Sequence, residues 1–113
     1  MARDVEYHEF VMDEILSGIS GIHSRPMFGG WGIYKEGVFF ALIADGQLYF
    51  KADASNKKDF EELGSELFIY EAKGKSISLS YWLLPEEIMT DKQKIAEWVD
   101  KSVMASIKSK KKK

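Results

Sequence analysis

The stretch VFFALIADGQLYFK, at residues 38–51, places two β-rich runs on either side of a tight turn and decides the fold. Asp45-Gly46 at its centre is typical of a type I′ hairpin turn, because both central positions of that turn need positive φ. A third β-rich run, at 31–34, precedes it across the turn Lys35-Glu36-Gly37. The sequence therefore predicts three antiparallel strands in a meander.

The rest of the chain supplies helices and two more strands. Residues 4–20 place apolar side chains at helical spacing, with a buried stripe expected from Val5 to Ile19. The remaining predicted elements are a short helix at 55–63, strands at 67–70 and 76–81, and a last helix opened by a capping box of Thr90 and Gln93. The predicted fold is α+β, in two layers with the order α-β-β-β-α-β-β-α and a five-stranded antiparallel sheet.

Composition fits one globular domain at residues 1–107 followed by a basic tail at 108–113. The chain has 113 residues, no cysteine, 45% hydrophobic and 30% charged residues, which excludes collagen-like, disordered and disulfide-stabilised classes. Five of its sixteen basic residues are the tail lysines Lys108, Lys110, Lys111, Lys112 and Lys113. Residues 1–107 therefore carry 11 basic against 18 acidic groups, a net charge of −7. Any attraction to nucleic acid is expected in the tail, which is predicted to be disordered.

The sequence contains neither a membrane-spanning stretch nor a secretory signal, and both bear on where the protein is located in the cell. The longest uncharged stretches contain ten residues, about half of the ~20 that a membrane-spanning helix needs. The N-terminus, MARDVEYHEF, is charged from residue 3 and lacks the apolar region of a secretory signal. The sequence therefore predicts a cytoplasmic protein.

The segment RPMFGGWG at 25–32 is the strongest candidate for binding, because glycines let backbone N–H groups approach a ligand. Its candidate interaction or ligand residues are Arg25, Phe28, Gly29, Gly30 and Trp31. A strand follows these glycines, whereas a phosphate-binding loop needs a helix N-terminus. The glycines therefore fit a bulge or a close crossing of the sheet better. Arg25 can bind a carboxylate or phosphate, or hold a loop carbonyl in place.

No residue pattern indicates catalysis, a metal site or a cofactor. His8 and His23 are the only histidines, and neither has a second ligand at a metal-binding spacing. Both are expected to be surface or helix-packing residues, and the serines form no nucleophile motif. The sequence thus predicts a protein that is not an enzyme.

Several separated motifs resemble those of the TfoX N-terminal domain family. They are RPMFGGWGIY at 25–34, FALIADGQLYFKAD at 40–53, a short helix with Phe60 and Gly64, and KGKSISLSYWLLPEE at 73–87. The resemblance runs from about residue 7 to residue 107 and implies a fold similar to type III secretion chaperones. It also implies a link to regulators that promote expression of DNA-uptake genes together with the cyclic-AMP receptor protein. It supplies no catalytic residues.

Three functional hypotheses follow. The first is a non-enzymatic module for regulation or protein interaction, with the transcription machinery or a cyclic-AMP-receptor-type regulator as its partner. The second is weak, nonspecific nucleic-acid binding through the lysine tail. The third is small-ligand binding by Arg25 with the backbone of Gly29 and Gly30. The resemblance to secretion chaperones, which dimerise, also implies a homodimer.

Overall fold

A computed structural model describes residues 5–27, 30–44, 46–72 and 75–111. Its helical segments are α1 (Val5–Phe10), a π-helical turn (Val11–Ile15), α2 (Lys57–Glu62), α3 (Glu86–Met89) and α4 (Lys92–Lys111). Its strands are β1 (Ile22–Met27), β2 (Gly30–Lys35), β3 (Val38–Ala44), β4 (Gln47–Lys51), β5 (Leu67–Ala72) and β6 (Lys75–Leu83). The predicted α+β class is confirmed.

These strands form one antiparallel sheet in the order β1-β2-β3-β4-β6-β5. The meander of β2, β3 and β4 matches the prediction, and Gly46 has the positive φ of a tight turn, +69°. Asp45 lies outside the described residues. The sheet has six strands where the sequence predicted five, because β1 adds an edge strand. Its sequence, IHSRPM, mixes polar residues with a proline, and an edge strand tolerates both since one of its sides is unpaired.

The N-terminal helix differs from the continuous helix predicted for residues 4–20. α1 ends at Phe10, and in the π-helical turn that follows, the N–H of Leu16 donates to the carbonyl of Val11 over 2.9 Å. The wider turn of a π-helix rotates the next side chains relative to α1. Val11 and Leu16 are therefore buried, whereas Val5 is 53% exposed and Phe10 is 48% exposed.

α4 packs on the centre of the sheet, against β3 and β4. Helical spacing in the sequence predicts a buried stripe of Ile95, Trp98, Val99, Ser102 and Ile107; the first four are buried and Ile107 is half-buried. The ring of Trp98 meets that of Phe60 edge-on, with centroids 4.7 Å apart, so α2 and α4 share one core. Within the described ranges, no helix is both long and apolar enough to cross a membrane.

The start of α4 differs from the prediction. The Oδ1 atom of Asp91 accepts hydrogen bonds from the backbone N–H groups of Gln93 and Lys94, 3.1 Å each. Asp91 therefore caps the helix, and Thr90 instead ends α3. At its other end the backbone of α4 is helical to Lys111, and the disorder of the tail at 108–113 stays a prediction.

Candidate interaction face

The candidate segment at 25–32 does not converge on one site, because strand alternation sends its side chains to opposite faces of the sheet. In the β1–β2 pair, Arg25 lies opposite Gly32 and Pro26 lies opposite Trp31. The ring of Trp31 stacks on His8 of α1, with centroids 3.9 Å apart, on the face that the helices cover. The guanidinium carbon of Arg25 lies 5.7 Å from the ring centroid of Tyr34, on the other face. Arg25 and Trp31 therefore cannot bind one small ligand together.

The glycines of this segment serve close packing of strands. A β-carbon on Gly30 would overlap the carbonyl oxygen of Ile43 on the neighbouring strand. A β-carbon on Gly32 would lie 2.7 Å from the Cε of Met27 and 3.1 Å from a ring carbon of Phe39. Phe28 and Gly29, the other two candidate positions, lie outside the described residues. The packing of Gly30 and Gly32 thus agrees with the structural interpretation of the motif.

The face of the sheet opposite the helices carries a second group of aromatic side chains, apart from those of the main core. We call this surface the aromatic face and define it by ten residues on the six strands: His23, Arg25, Tyr34, Phe39, Leu42, Ala44, Tyr49, Lys51, Phe68 and Tyr81. Its rings form a continuous row in which adjacent centroids lie 5.3 Å (His23 to Tyr34), 5.3 Å (Tyr34 to Phe39) and 5.5 Å (Phe39 to Tyr81) apart. A second ring pair, Tyr49 with Phe68, has its centroids 4.8 Å apart.

Rings on the aromatic face cover a small core of their own. Leu42, Ala44 and Tyr81 are at most 8% exposed, and they pack against half-buried aromatic side chains of neighbouring strands. Among the described residues, this cluster contains no helix residue. The upper surface of the face is therefore formed by partly exposed rings, and at its β1 edge by the exposed side chains of His23 and Arg25.

Among the ten residues that define the aromatic face, two side chains are cationic, Arg25 and Lys51. Arg25 lies against Tyr34, and the Nζ of Lys51 lies 5.3 Å from the ring centroid of Tyr81. Burial lowers the pKa of Lys51, although Asp53 opposes the change. Burial, with a smaller contribution from Tyr34, raises the pKa of Tyr81 well above its usual range. Tyr81 thus stays protonated near neutral pH and contributes to packing and cation–π contact.

His8 is the histidine with a structural partner on the helix side of the sheet. Its Nε2 lies 2.8 Å from the hydroxyl oxygen of Ser24, and its ring covers Trp31. Burial lowers the pKa of His8, while Glu9 and Asp13 raise it by smaller amounts. This contact attaches α1 to the β1 edge of the sheet, which agrees with the helix-packing role expected for this residue. Within the described residues, no group of three acidic, histidine or cysteine side chains could hold a metal ion.

The lysine-rich end of the chain is separate from the aromatic face. Lys108 is exposed on α4, and the backbone at Lys110 and Lys111 is helical. Lys112 and Lys113 lie outside the described residues. The backbone of this basic segment therefore continues α4 as far as Lys111.

The chain is similar to a known family of domains and to proteins of two bacteria. The family model for the TfoX N-terminal domain matches residues 14–106. The chain is 36% identical over 64 residues to "DNA transformation protein TfoX1" of Aliivibrio fischeri, an alignment that covers 57% of this chain and 31% of the relative. It is 25% identical over 97 residues to "Protein Sxy" of Escherichia coli, covering 86% of this chain and 46% of the relative. The chain thus spans less than half the length of either relative. Because the family model covers most of its residues, the chain belongs to the TfoX N-terminal domain family.

Proposed function

We propose that this chain is a non-enzymatic regulatory module that binds a protein partner through the aromatic face, in the transcriptional control of DNA uptake. The name of the A. fischeri relative, a DNA transformation protein, supports the biological setting. The proposed binding surface rests on one observation, the row of partly exposed rings on the aromatic face. Among the described residues, the small core beneath these rings contains no helix residue. By the family resemblance, the partner is part of the transcription machinery or a cyclic-AMP-receptor-type regulator.

The composition of the aromatic face suits a protein partner. Aromatic side chains and arginine are enriched at protein–protein interfaces, where rigid rings bury large areas at a low entropic cost. Arg25 extends this surface with an exposed guanidinium that can pair with a partner's carboxylate. The net charge of −7 over residues 1–107 opposes nucleic acid as a ligand of the domain as a whole.

The absence of enzymatic activity is part of the proposal. Among the described residues, the pair of Ser24 and His8 comes nearest to a nucleophile with its base. His8 is stacked against Trp31, and no described carboxylate forms a hydrogen bond with it to orient the ring, as a catalytic triad requires. The pair is better explained as the attachment of α1 to the sheet.

A photo-crosslinking experiment in the native host tests the proposed partner. A photoreactive phenylalanine analogue is placed at position 23, on the aromatic face, and in a matched control at position 97, where Glu97 is exposed on α4. We expect an adduct with a transcription-regulatory protein at position 23 and no adduct with that protein at position 97. The same adducts at both positions, or none at either, would contradict the use of this face.

Transcript measurements test the regulatory role with a matched pair of charge changes. Arg25→Glu and Lys94→Glu each reverse one exposed cation, the first on the aromatic face and the second on α4. We expect removal of the chain and Arg25→Glu to alter the transcript levels of DNA-uptake genes, with Lys94→Glu close to wild type. Unchanged transcripts after complete removal of the chain would refute the regulatory role.

The lysine tail supports a second candidate function, weak nucleic-acid binding. Lys108 and the lysines that follow it extend from an acidic domain, so any contacts they make are sequence-blind. About five phosphate contacts give a log–log salt slope no steeper than roughly −4 to −5. Fluorescence anisotropy of labelled duplex DNA, with the full chain and with a chain ending at Ile107, measures this contribution.

A further inference from the structure

A groove separate from the rings of the aromatic face lies between α1, the β3–β4 turn and the segment that follows β6. Its volume is about 410 Å³, within the range of about 300–1,000 Å³ that is typical of binding pockets. Six of its lining residues are aliphatic, aromatic or thioether side chains: Tyr7, Phe10, Leu83, Leu84, Pro85 and Met89. Phe10 is 48% exposed, because the π-helical turn leaves it outside the core. We call this cavity the N-terminal groove.

One carboxylate lines the N-terminal groove, and three more are sequence neighbours of its lining residues. Glu86 lines it, and Glu87 follows in α3. Glu6 and Glu9 lie next to the lining residues along α1. All four are exposed, and within the described ranges none of them forms an ion pair. The groove therefore favours an occupant with an apolar anchor and flanking positive charges.

The outer surface of α4 has this complementary pattern. Lys101, Met104 and Lys108 follow one another at spacings of three and four residues, so they share one side of the helix. Met104 is 51% exposed, whereas Ala105 on the sheet side is fully buried. Lys101 is already paired with Asp59 over 2.9 Å. Lys108 and the lysines after it in the sequence are the charges that the α4 end offers.

We propose that the N-terminal groove of one copy binds the end of α4 from a second copy, with Met104 as the anchor. A thioether fits irregular apolar pockets and makes favourable contacts with rings such as Tyr7 and Phe10. Lys108 then lies toward Glu86 and the carboxylates next to it. Met104 is exposed in its own chain, so its side chain is available to a second copy. Each copy carries both surfaces, so a two-fold axis can fill both grooves in a closed dimer.

Sedimentation velocity of the full chain, from micromolar to near-millimolar concentration, tests this arrangement. We expect the mass to rise from 12.9 kDa toward twice that value. Phe10→Lys and Met104→Lys each place a cation in the apolar contact, so both variants should stay monomeric. Leu63→Lys is the matched control, because Leu63 is 38% exposed but does not line the groove. Circular dichroism verifies that all three variants fold.

A charge exchange identifies the surfaces that meet. Glu6→Lys with Glu86→Lys should weaken the dimer at least tenfold, and the addition of Lys108→Glu should restore part of that loss. Raising the salt concentration should weaken the wild-type dimer, since exposed charges are screened.

Three results would overturn the proposal: a wild-type chain that stays monomeric at every concentration, a dimer that survives both Phe10→Lys and Met104→Lys, or loss of the dimer in Phe10→Lys alone. The last result would assign the groove to a different basic segment. The proposal does not depend on the proposed function, and Arg25→Glu should leave the dimer unchanged.

Discussion

The substitution Gly30→Ala tests whether the glycine-rich segment is built for strand packing or for ligand binding. A β-carbon at Gly30 would overlap the carbonyl oxygen of Ile43, so β2 must move away from β3 beside the Trp31–Ile43 pair. Overpacking of this kind costs about 1–3 kcal/mol, and one weakened backbone hydrogen bond adds about 0.5–1.5 kcal/mol. We therefore expect the free energy of unfolding to fall by roughly 2–4 kcal/mol, a large share of the ~5–15 kcal/mol of a typical domain.

Chemical denaturation and thermal melting, both followed by circular dichroism, measure this loss. At about 4–8 °C per kcal/mol for a domain of this size, the melting temperature should fall by roughly 10–30 °C. Gly18→Ala is the control, because nothing lies within 4 Å of a β-carbon at that position, and its stability should stay within about 0.5 kcal/mol of wild type. A Gly30→Ala protein as stable as the Gly18→Ala protein would refute the packing argument. If that protein also lost binding of its partner, the segment would be a ligand loop.

Three further predictions concern the core, the pH dependence and the tail. Phe60→Ala should lower the free energy of unfolding by about 3–5 kcal/mol, because it leaves a cavity next to Trp98 in the core. Urea denaturation measures this loss, and a loss below about 1 kcal/mol would contradict the shared core of α2 and α4. Burial lowers the pKa of His8 below its ordinary value of 6.5, so the unfolded chain binds the proton more tightly. The stability that is present above pH 6.5 is therefore lost as the pH falls through the folded-state pKa. His8→Gln should make the denaturation midpoint depend less on pH, and an unchanged pH dependence would assign the effect to another group. A chain that ends at Ile107 should lose the salt-dependent anisotropy signal with duplex DNA, and sequence-selective binding by that shorter chain would show that the acidic domain itself reads DNA.

Local sequence signals accounted for the centre of the fold. The Asp45-Gly46 turn predicts the β3–β4 hairpin because few residue pairs accept positive φ at both positions. The apolar spacing that begins at Ile95 predicts the buried side of α4, since that helix is regular over its whole length. In both cases the residues that carry the signal are close together in the chain, so no knowledge of the tertiary structure is needed.

The edge strand and the π-helical turn lack such signals. β1 alternates partly exposed and exposed residues around a proline, a pattern that a loop shares with an edge strand. The π-helical turn becomes visible only through the hydrogen bond from Leu16 to Val11, because its sequence also fits an ordinary helix. The consequence is large at Val5 and Phe10, which helical spacing alone cannot identify as exposed.

The aromatic face was not predicted because its residues are distant in sequence. Tyr34, Phe39, Tyr49 and Tyr81 lie on four different strands, and within each strand they alternate with residues of the main core. Their common face follows only from the strand register, including the irregularity between Ile33 and Tyr34. A search for aromatic residues directly next to core positions in a strand would have identified each of them singly, although without the sheet order it could not have joined them.

The same alternation makes stability and recognition separable at neighbouring positions of β1. Ser24 faces the helices and bonds to His8, so its replacement acts on the attachment of α1. Arg25, one residue later, faces the opposite side with an exposed guanidinium against Tyr34, so its replacement changes the surface with little effect on packing. Ser24→Ala should lower the free energy of unfolding and leave the affinity for the partner unchanged. Arg25→Glu should weaken partner binding and leave stability unchanged. This pair of results would show that the two faces have distinct roles. An edge strand with one side of its backbone unpaired can therefore serve both layers, because its successive side chains belong to different parts of the molecule.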